Sequence, residues 1–383
     1  MLYSVRFHGF KCLRDVELSG LQQLNVIVGP SGAGKSSVLQ GLQLLASVVP
    51  HRDDTKTVPQ RVLDAFGGRV GEQLMTSGET RMTLGCATST GDALELEATR
   101  KGHKIDFRLS FAERDQPLQV VEILERSLGD LSTRLEMYFG QLRATASLKL
   151  DGERLGAVSP SSSHPSLEHD GSGLATVLAY FAGAYRDRLQ SLESELRAVV
   201  GTTGQIRTFP DEIELEETEM IRLDEQLVPR STRRKRAAHR FEVEVDGLGS
   251  VPGNLLSEGM LTTLGLLTVL HHPDCPRLLL LDDVDQGLHP DAQAKLVRVL
   301  RKLLGERPET QILCTSHSPY LIDHFLPEEV QVMSFVGGQA TAARLDQHEE
   351  WPRWQGKLQT GEFWQSVGED WVGDAGARQG SRP

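Results

Sequence analysis

Apolar and polar residues alternate from the first residues of the chain. "YSVRFHGF" and "RDVELS" set their apolar side chains at every second position, the period of a strand with one buried face. "LNVIV" is continuously apolar, as a short buried strand is. It runs into "GPSGAGKSS", after which Leu39, Leu42, Leu45 and Val49 recur at the spacing of one helix face. The pattern predicts strand, glycine loop, helix.

Residues 50–75 are polar and irregular. From about Met82 to Phe111 the chain reads as antiparallel strands, "RMTLGCATS", "ALELEATR" and "KIDFRLSF", with "LQVVEILERS" as one more. "SPSSSHPSLEHDGSG" (Ser159 to Gly173) has the composition of a flexible loop. "LATVLAYFAGAYRDRLQSLESELRAVV" predicts an amphipathic helix broken around Gly183. In residues 205–245 the acidic "DEIELEETEMIRLDE" precedes the basic "PRSTRRKRAAHR" and a strand, "RFEVEV". "SEGMLTTLGLLTVL" predicts a buried helix, "RLLLLDD" a buried strand, and "PDAQAKLVRVLRKLLGE" an amphipathic helix opened by Pro290. "TQILCTSHS" is another buried strand, "EVQVMSFVGG" and "ATAARLD" a hairpin, and the remainder a small helical tail. There is no internal repeat.

Strands of the parallel type alternating with helices, interrupted first by a β-rich and then by a helical insertion, define an α/β class. The expected layout is a mixed-sheet core whose first half, residues 1–120, includes an antiparallel β-subdomain. A helical insertion with a charged segment follows at 121–250, then the second half of the core at 251–345 and a tail at 346–383. A ligand should bind at the carboxyl ends of the strands.

The chain of 383 residues has a formal net charge of −12, which argues against a generally basic, nucleic-acid-coating protein. Cys12, Cys86, Cys275 and Cys314 are far apart, without zinc spacing, and read as small buried thiols in a reducing cytosol. The N-terminus alternates and so is no signal peptide, and no apolar run spans a bilayer. A soluble, cytoplasmic protein without membrane partners is expected.

"GPSGAGKS" fits G-x-x-x-x-G-K-[ST], with a strand before it and a helix after. Gly29, Gly32 and Gly34 let the backbone curl so that its N–H groups face phosphate oxygens, and the helix N-terminus adds positive potential. The expected nucleotide contacts are Gly29, Pro30, Ser31, Gly32, Ala33, Gly34, Lys35, Ser36 and Ser37. Lys35 would reach the β- and γ-phosphates and Ser36 would give its hydroxyl to Mg²⁺. The alternative is a chance glycine-rich turn.

Four leucines then run into two carboxylates in "LLLLDDVDQGLHP". Carboxylates at the end of a buried strand are costly unless a cation sits there. A phosphate-loop protein needs such a strand end to hold its magnesium, and Asp282 supplies it. Asp283 stands where many such ATPases place a glutamate that orients the attacking water. Helix capping explains neither aspartate, because the next helix opens only at Pro290. In "LLSEGM", Ser257 can cap the following helix, and a Ser-x-Gly turn there is also an anion site. Arg230, Arg233, Arg234, Lys235, Arg236 and Arg240 crowd one stretch without interleaved aromatics. They can contact nucleic-acid phosphates, lie on a solvated loop, or mate with the preceding acidic run.

The set "FHGFKCLRDVEL", "GPSGAGKSS", "LSEGM", "LLLLDDVDQGLHP" and "CTSHSPYLI" resembles the RecF/OLD-like AAA-type ATPases, relatives of the SMC proteins with an ABC-type head. "GLHP" is similar to the group's E-x-x-x-L-H-P segment. The resemblance covers roughly residues 1–120 and 240–345; between them it holds only in pattern. It implies a P-loop NTPase with an ABC-ATPase-like head, ATP and Mg²⁺ as ligands, and a homodimer in which two heads engage around two nucleotides. Ser257 and Gly259 would then touch the γ-phosphate held by the other head, and His317 would reach it from its own side. Asp283 replaces the usual glutamate, Asp285 stands where a second acid is common, and Glu258 and Met260 replace a glycine and a glutamine. Gln116 and Gln119 are both candidates for the glutamine that follows the antiparallel strands. No Toprim nuclease is expected in this chain, nor an SMC coiled-coil arm. "LQTGEFWQSVGEDW" is similar to the tails of stand-alone members.

The leading expectation is an ATPase whose head dimerisation gates a partner effector, for example in phage defence. One alternative is a DNA-binding ATPase clamp acting in repair, using the arginine run. Another is a nucleotide-sensing scaffold with very slow turnover, to which Asp283 points.

Overall fold

The computed structural model describes residues 1–49, 74–101, 104–113, 119–121, 137, 139–223 and 226–373. They fall into two units. Met1–Ser147, Pro276–Asp285 and Leu300–Pro383 form the first, and Leu148–Cys275 and Gln286–Val299 the second.

In the first unit, β1 (Leu2–Phe10) and β2 (Leu13–Ser19) pair antiparallel, with buried Val5 opposite Leu18 and Phe7 opposite Val16. β3 (Leu24–Val28) is buried at every position. It leads through the glycine loop into α1 (Lys35–Val48). β4 (Arg81–Thr88), β5 (Ala93–Lys101), β6 (Lys104–Ala112) and β7 (Gln119–Val121) extend the first sheet antiparallel, in the order β2-β1-β4-β5-β6-β7. The three predicted strands between Met82 and Phe111 are therefore present. Of "LQVVEILERS" only Gln119–Val121 is described, as a strand, and most of the irregular 50–75 segment lies outside the described residues.

A second sheet in this unit carries the acidic strand. Its order is β16-β15-β3-β14-β13-β8, where β8 is Thr145–Leu148, β13 Leu278–Leu281, β14 Gln311–Thr315, β15 Val330–Val336 and β16 Gln339–Arg344. β13, β14, β3 and β15 run parallel, so their carboxyl ends share one edge; β16 returns antiparallel. All four leucines of β13 are buried, as the unbroken apolar run requires. Val38, Leu42 and Leu45 of α1 share one core with Phe7 and Phe10 of the first sheet and Ile27, Leu280 and Leu313 of the second. Gly41 makes this packing possible: a Cβ there would meet the Phe7 ring at 2.4 Å. The helix gives up some intrinsic stability at that residue for a close approach.

The second unit holds α2 (Leu174–Ala184) and α3 (Arg186–Val200), the predicted amphipathic helix with its break at Tyr185. It also holds α4 (Glu258–His271), expected with the C-terminal half of the core. The segment from Ser159 to Gly173 is tied in at several points. Its first two residues form β9 (Ser159–Pro160), paired with His239 and Ala238, Thr176 donates to the Ser159 and Pro160 carbonyls, and Glu168 N–H bonds Ser172 O at 2.9 Å.

The expected helical insertion is corrected over residues 203–223 and 226–245, which pair as two long antiparallel strands, β10 (Thr203–Leu223) and β11 (Gln226–Val245), called the hairpin below. The acidic and basic runs are its two strands. Glu214 lies opposite Lys235, Glu216 opposite Arg233 and Glu219 opposite Arg230. Opposite charges across a ladder stabilise its register, and like charges in either run disfavour a helix made from that run alone. Beside the hairpin's base, β12 (Gly249–Pro252) pairs with Glu242–Val245.

Candidate phosphate and metal site

The glycine loop is shaped by what surrounds it. Gly29 has φ +140°, and a Cβ there would meet the Met333 carbonyl oxygen at 2.1 Å. Gly34 has φ +101°, a left-handed turn that starts α1. Lys35 is 6% exposed, and its ammonium donates to the carbonyls of Gly29 at 2.9 Å and Pro30 at 3.0 Å. Burial pulls this ammonium below the usual lysine range, while the charges of Asp283, Asp282, Glu369 and Asp285 hold it up.

Across the loop, the Ser36 hydroxyl lies 3.0 Å and 2.9 Å from the two carboxylate oxygens of Asp282. The Thr315 hydroxyl donates to Asp282 Oδ1 at 2.8 Å and accepts from the Asp283 amide at 2.8 Å. Val284 N–H bonds the Thr315 carbonyl at 3.1 Å. The last residue of β14 thus fixes the Asp282 carboxylate and the Asp283 backbone at the end of β13. Asp283 has φ +56°, a left-handed conformation that aspartate tolerates better than most residues. Ser36 and Asp282 together offer hard oxygen donors next to a helix N-terminus, the donor chemistry that suits a magnesium ion with its own waters. These residues fit the metal the sequence implies.

His317 lies two residues beyond Thr315 and is exposed. The preceding Ser316 N–H bonds the Ile27 carbonyl at 3.2 Å, so this segment runs beside the strand that enters the glycine loop. Asp285 Oδ1 is buried and has no hydrogen-bond partner among the described residues. Cys86 and Cys314 are buried, and burial pushes the Cys86 thiol up to about 12 and that of Cys314 further. Neither is a nucleophile at neutral pH.

Ser257 caps α4 in the second unit, its hydroxyl accepting from Met260 N–H at 3.3 Å. Gly259 packs so closely on the "DQGLHP" segment that a Cβ would meet the Gly287 carbonyl oxygen at 2.4 Å. Gln286 donates to Glu258 at 2.7 Å, joining the same two segments.

In the arginine run, the mating alternative is the one observed. Lys235 meets Glu212 at 3.4 Å, and Arg240 lies over the Phe209 ring at 4.4 Å while bonded to Glu242. Gln116 lies outside the described residues, and Gln119 pairs with Phe111 at the end of the first sheet.

Thr315 and Asp323 were not singled out from the sequence. The signal for Thr315 was available: a hydroxyl residue ending an otherwise apolar buried strand, just before the histidine. Asp323 carried none, because its partner, the Gly361 amide, lies 38 residues away in sequence.

A family model described as "AAA domain, putative AbiEii toxin, Type IV TA system" matches residues 24–323. No curated protein matches the chain in sequence. Among solved structures, an SMC head bound to the C-winged helix domain of ScpA aligns over 92% of this chain and 99% of that one, with TM-score 0.56 and 11% identity. An Smc head domain with an extended coiled coil, bound to the C-terminal domain of ScpA derived from Pyrococcus furiosus, aligns over 93% and 99%, with TM-score 0.56 and 10% identity. The likeness is one of fold, and the fold is that of an α/β P-loop NTPase similar to SMC and ABC ATPase heads. No helix among the described residues is long and apolar enough to cross a membrane.

Proposed function

The chain belongs to this AAA-domain family, and on that premise we propose that it hydrolyses ATP with magnesium, two copies engaging around two nucleotides and separating after hydrolysis. The observation that carries this reading is the pairing of Ser36 with Asp282 at the mouth of the glycine loop. The loop amides and Lys35 hold the phosphates, and the ammonium exchanges its carbonyl partners for phosphate oxygens. Ser36 and Asp282 would hold the metal, which when bound would neutralise phosphate charge. Asp283 orients the attacking water from a backbone fixed by Thr315. His317 approaches the γ-phosphate, and Ser257 and Gly259 of a second copy complete the site. Catalysis is then positioning and electrostatics.

Non-hydrolysable ATP should shift the protein to a dimer in sedimentation, and Lys35→Ala should abolish the shift. A monomer at saturating nucleotide would overturn the engagement. The biological role we assign is gating of a partner effector by nucleotide-driven head engagement, in the manner of the stand-alone RecF/OLD-like ATPases. The family's description, with its toxin–antitoxin setting, supports that role. The left-handed backbone and short arm of Asp283 favour slow turnover, a nucleotide sensor that hydrolyses rarely. The arginine run faces an acidic strand, so we give a DNA clamp no part in this reading.

A further inference from the structure

Past its base, the hairpin is a ladder of two strands. At the base, β9 pairs with β11 at Ala238 and His239, and β12 pairs with it from Glu242 to Val245. Ile206, Ala238, Phe241 and Val243 are buried there. From Glu212 to Leu223 and from Gln226 to Ala237 the pairing runs on without a register shift, and among the described residues no third strand joins it. Arg233, Arg234, Lys235 and Arg236 are all exposed, so both faces of the ladder are open at these positions. A two-stranded ribbon is marginally stable on its own in water, and a layer packed on one face stabilises it.

The register assigns each residue to a face, because positions two apart and positions directly opposite lie on the same side of a sheet. Leu215, Glu219 and Ile221 share one face with Arg234, Arg230 and Val228 opposite them. The other face carries Glu214 opposite Lys235 and Glu216 opposite Arg233. There Glu214, Lys235 and Arg233 are exposed and the rungs are wholly charged, as a solvated face is. The first face instead has an apolar rung, Ile221 with Val228, a charged rung, Glu219 with Arg230, and a mixed rung, Leu215 with Arg234. It is the face with apolar residues to cover.

We propose that this face docks on the same face of a second copy of the chain, about a two-fold axis running along the hairpin. That axis lays each acidic strand over the basic strand of the other copy. Glu219 then meets the partner's Arg230, Ile221 meets the partner's Val228, and Leu215 is covered by the aliphatic stem of the partner's Arg234. Each rung complements itself, which is what an isologous contact requires. The other arrangements fail on charge or closure. A two-fold across the hairpin stacks acid on acid and base on base. Edge-to-edge pairing of two β10 strands, or of two β11 strands, puts like charges side by side. Pairing β10 of one copy with β11 of the next matches charge but leaves an open edge at each end, so it grows a filament instead of closing. The contact needs no nucleotide and stands apart from the ATP reading above.

The experiment is sedimentation equilibrium of the full chain without nucleotide, on wild type, Glu219→Arg, Arg230→Glu and an equimolar mixture of the two variants. The docked area is small, so wild type should dimerise with a dissociation constant on the order of 100 μM and stay monomeric at low micromolar concentration until nucleotide is added. Each variant alone sets like charges against each other between the copies and should dimerise about 10-fold more weakly. In the mixture the facing positions of the two copies carry opposite charges, while each hairpin still holds like charges within itself. The mixture should therefore return to within about 3-fold of wild type, which a contact confined to one hairpin cannot produce. A wild type that stays monomeric at about 1 mM, variants that dimerise as wild type does, or a mixture as weak as its components overturns the proposal. If circular dichroism shows that the charge variants lose the hairpin, oxidative cross-linking decides. Ile221→Cys mixed with Val228→Cys should form a disulfide between copies, and Glu214→Cys mixed with Lys235→Cys, on the other face, should not. Any other pattern overturns the docking.

Discussion

Thr315 holds Asp282 and Asp283 together: its hydroxyl donates to the carboxylate of the first and accepts from the amide of the second, each at 2.8 Å. Thr315 is fully buried. Thr315→Val keeps the shape and removes both bonds, leaving an amide and a carboxylate short of a partner. We expect a loss of about 1–3 kcal/mol in urea denaturation. Turnover should fall more than nucleotide affinity does, because the phosphate loop is untouched.

Ser36 and Asp282 should act as a unit toward the metal. Ser36→Ala and Asp282→Asn should each abolish the Mg²⁺ dependence of analogue binding, and the double variant should be little worse than either. Additive losses would separate their roles.

Asp283 sits in a left-handed conformation that asparagine also tolerates. Asp283→Asn should leave the unfolding free energy within about 0.5 kcal/mol of wild type. It should lower single-turnover hydrolysis by about 100-fold or more, if the carboxylate orients water. Unchanged hydrolysis would remove Asp283 from the chemistry.

Burial places the Lys35 ammonium below its ordinary range. The unfolded chain therefore holds this proton more tightly than the folded one. Stability attributable to Lys35 rises with pH through the window between the folded and unfolded values, and its cost is fully present at neutral pH. Lys35→Met should raise the denaturation midpoint of the nucleotide-free protein at pH 7 while abolishing analogue binding. A lowered midpoint would show that the contacts of the ammonium outweigh its desolvation.

The tail carries its own pH dependence. Burial lowers His348 from the usual histidine value, against the charges of Glu350 and Glu349. Its Nδ1 accepts from the Glu350 amide at 3.1 Å, which requires the unprotonated nitrogen. The unfolded segment binds the proton better, so the contribution of His348 to the packing against Phe363 and Trp371 is fully present above about pH 6.5 and is lost as the pH falls through the lowered folded value. Trp371 fluorescence between pH 7.5 and 5 reads this directly, and His348→Phe should flatten the curve.

Much of the site was legible because it is local. The glycine loop, the run of four leucines into Asp282 and the Ser257 cap each occupy one short stretch, and strand order brought the first two to one sheet edge. The hairpin was not legible as a strand pair. Outside "RFEVEV", which alternates as a strand does, its charged runs carry little of the alternating apolar face that marks a sheet, and their register pairs residues such as Glu216 and Arg233 that only the fold brings together. Asp323 was hidden for a related reason. Its partners, the Gly361 and Glu362 amides, lie far along the chain, and a single aspartate in a turn looks like many others.

The hairpin has one more consequence. Because acid lines one strand and base the other, the ribbon is close to neutral as a whole and polarised across its width. Such an object is not drawn bodily to a charged surface, as a basic patch is. It experiences a torque, turning its arginine edge toward negative potential and its glutamate edge away. Whatever approaches this ribbon is met by an orientation rather than by an attraction.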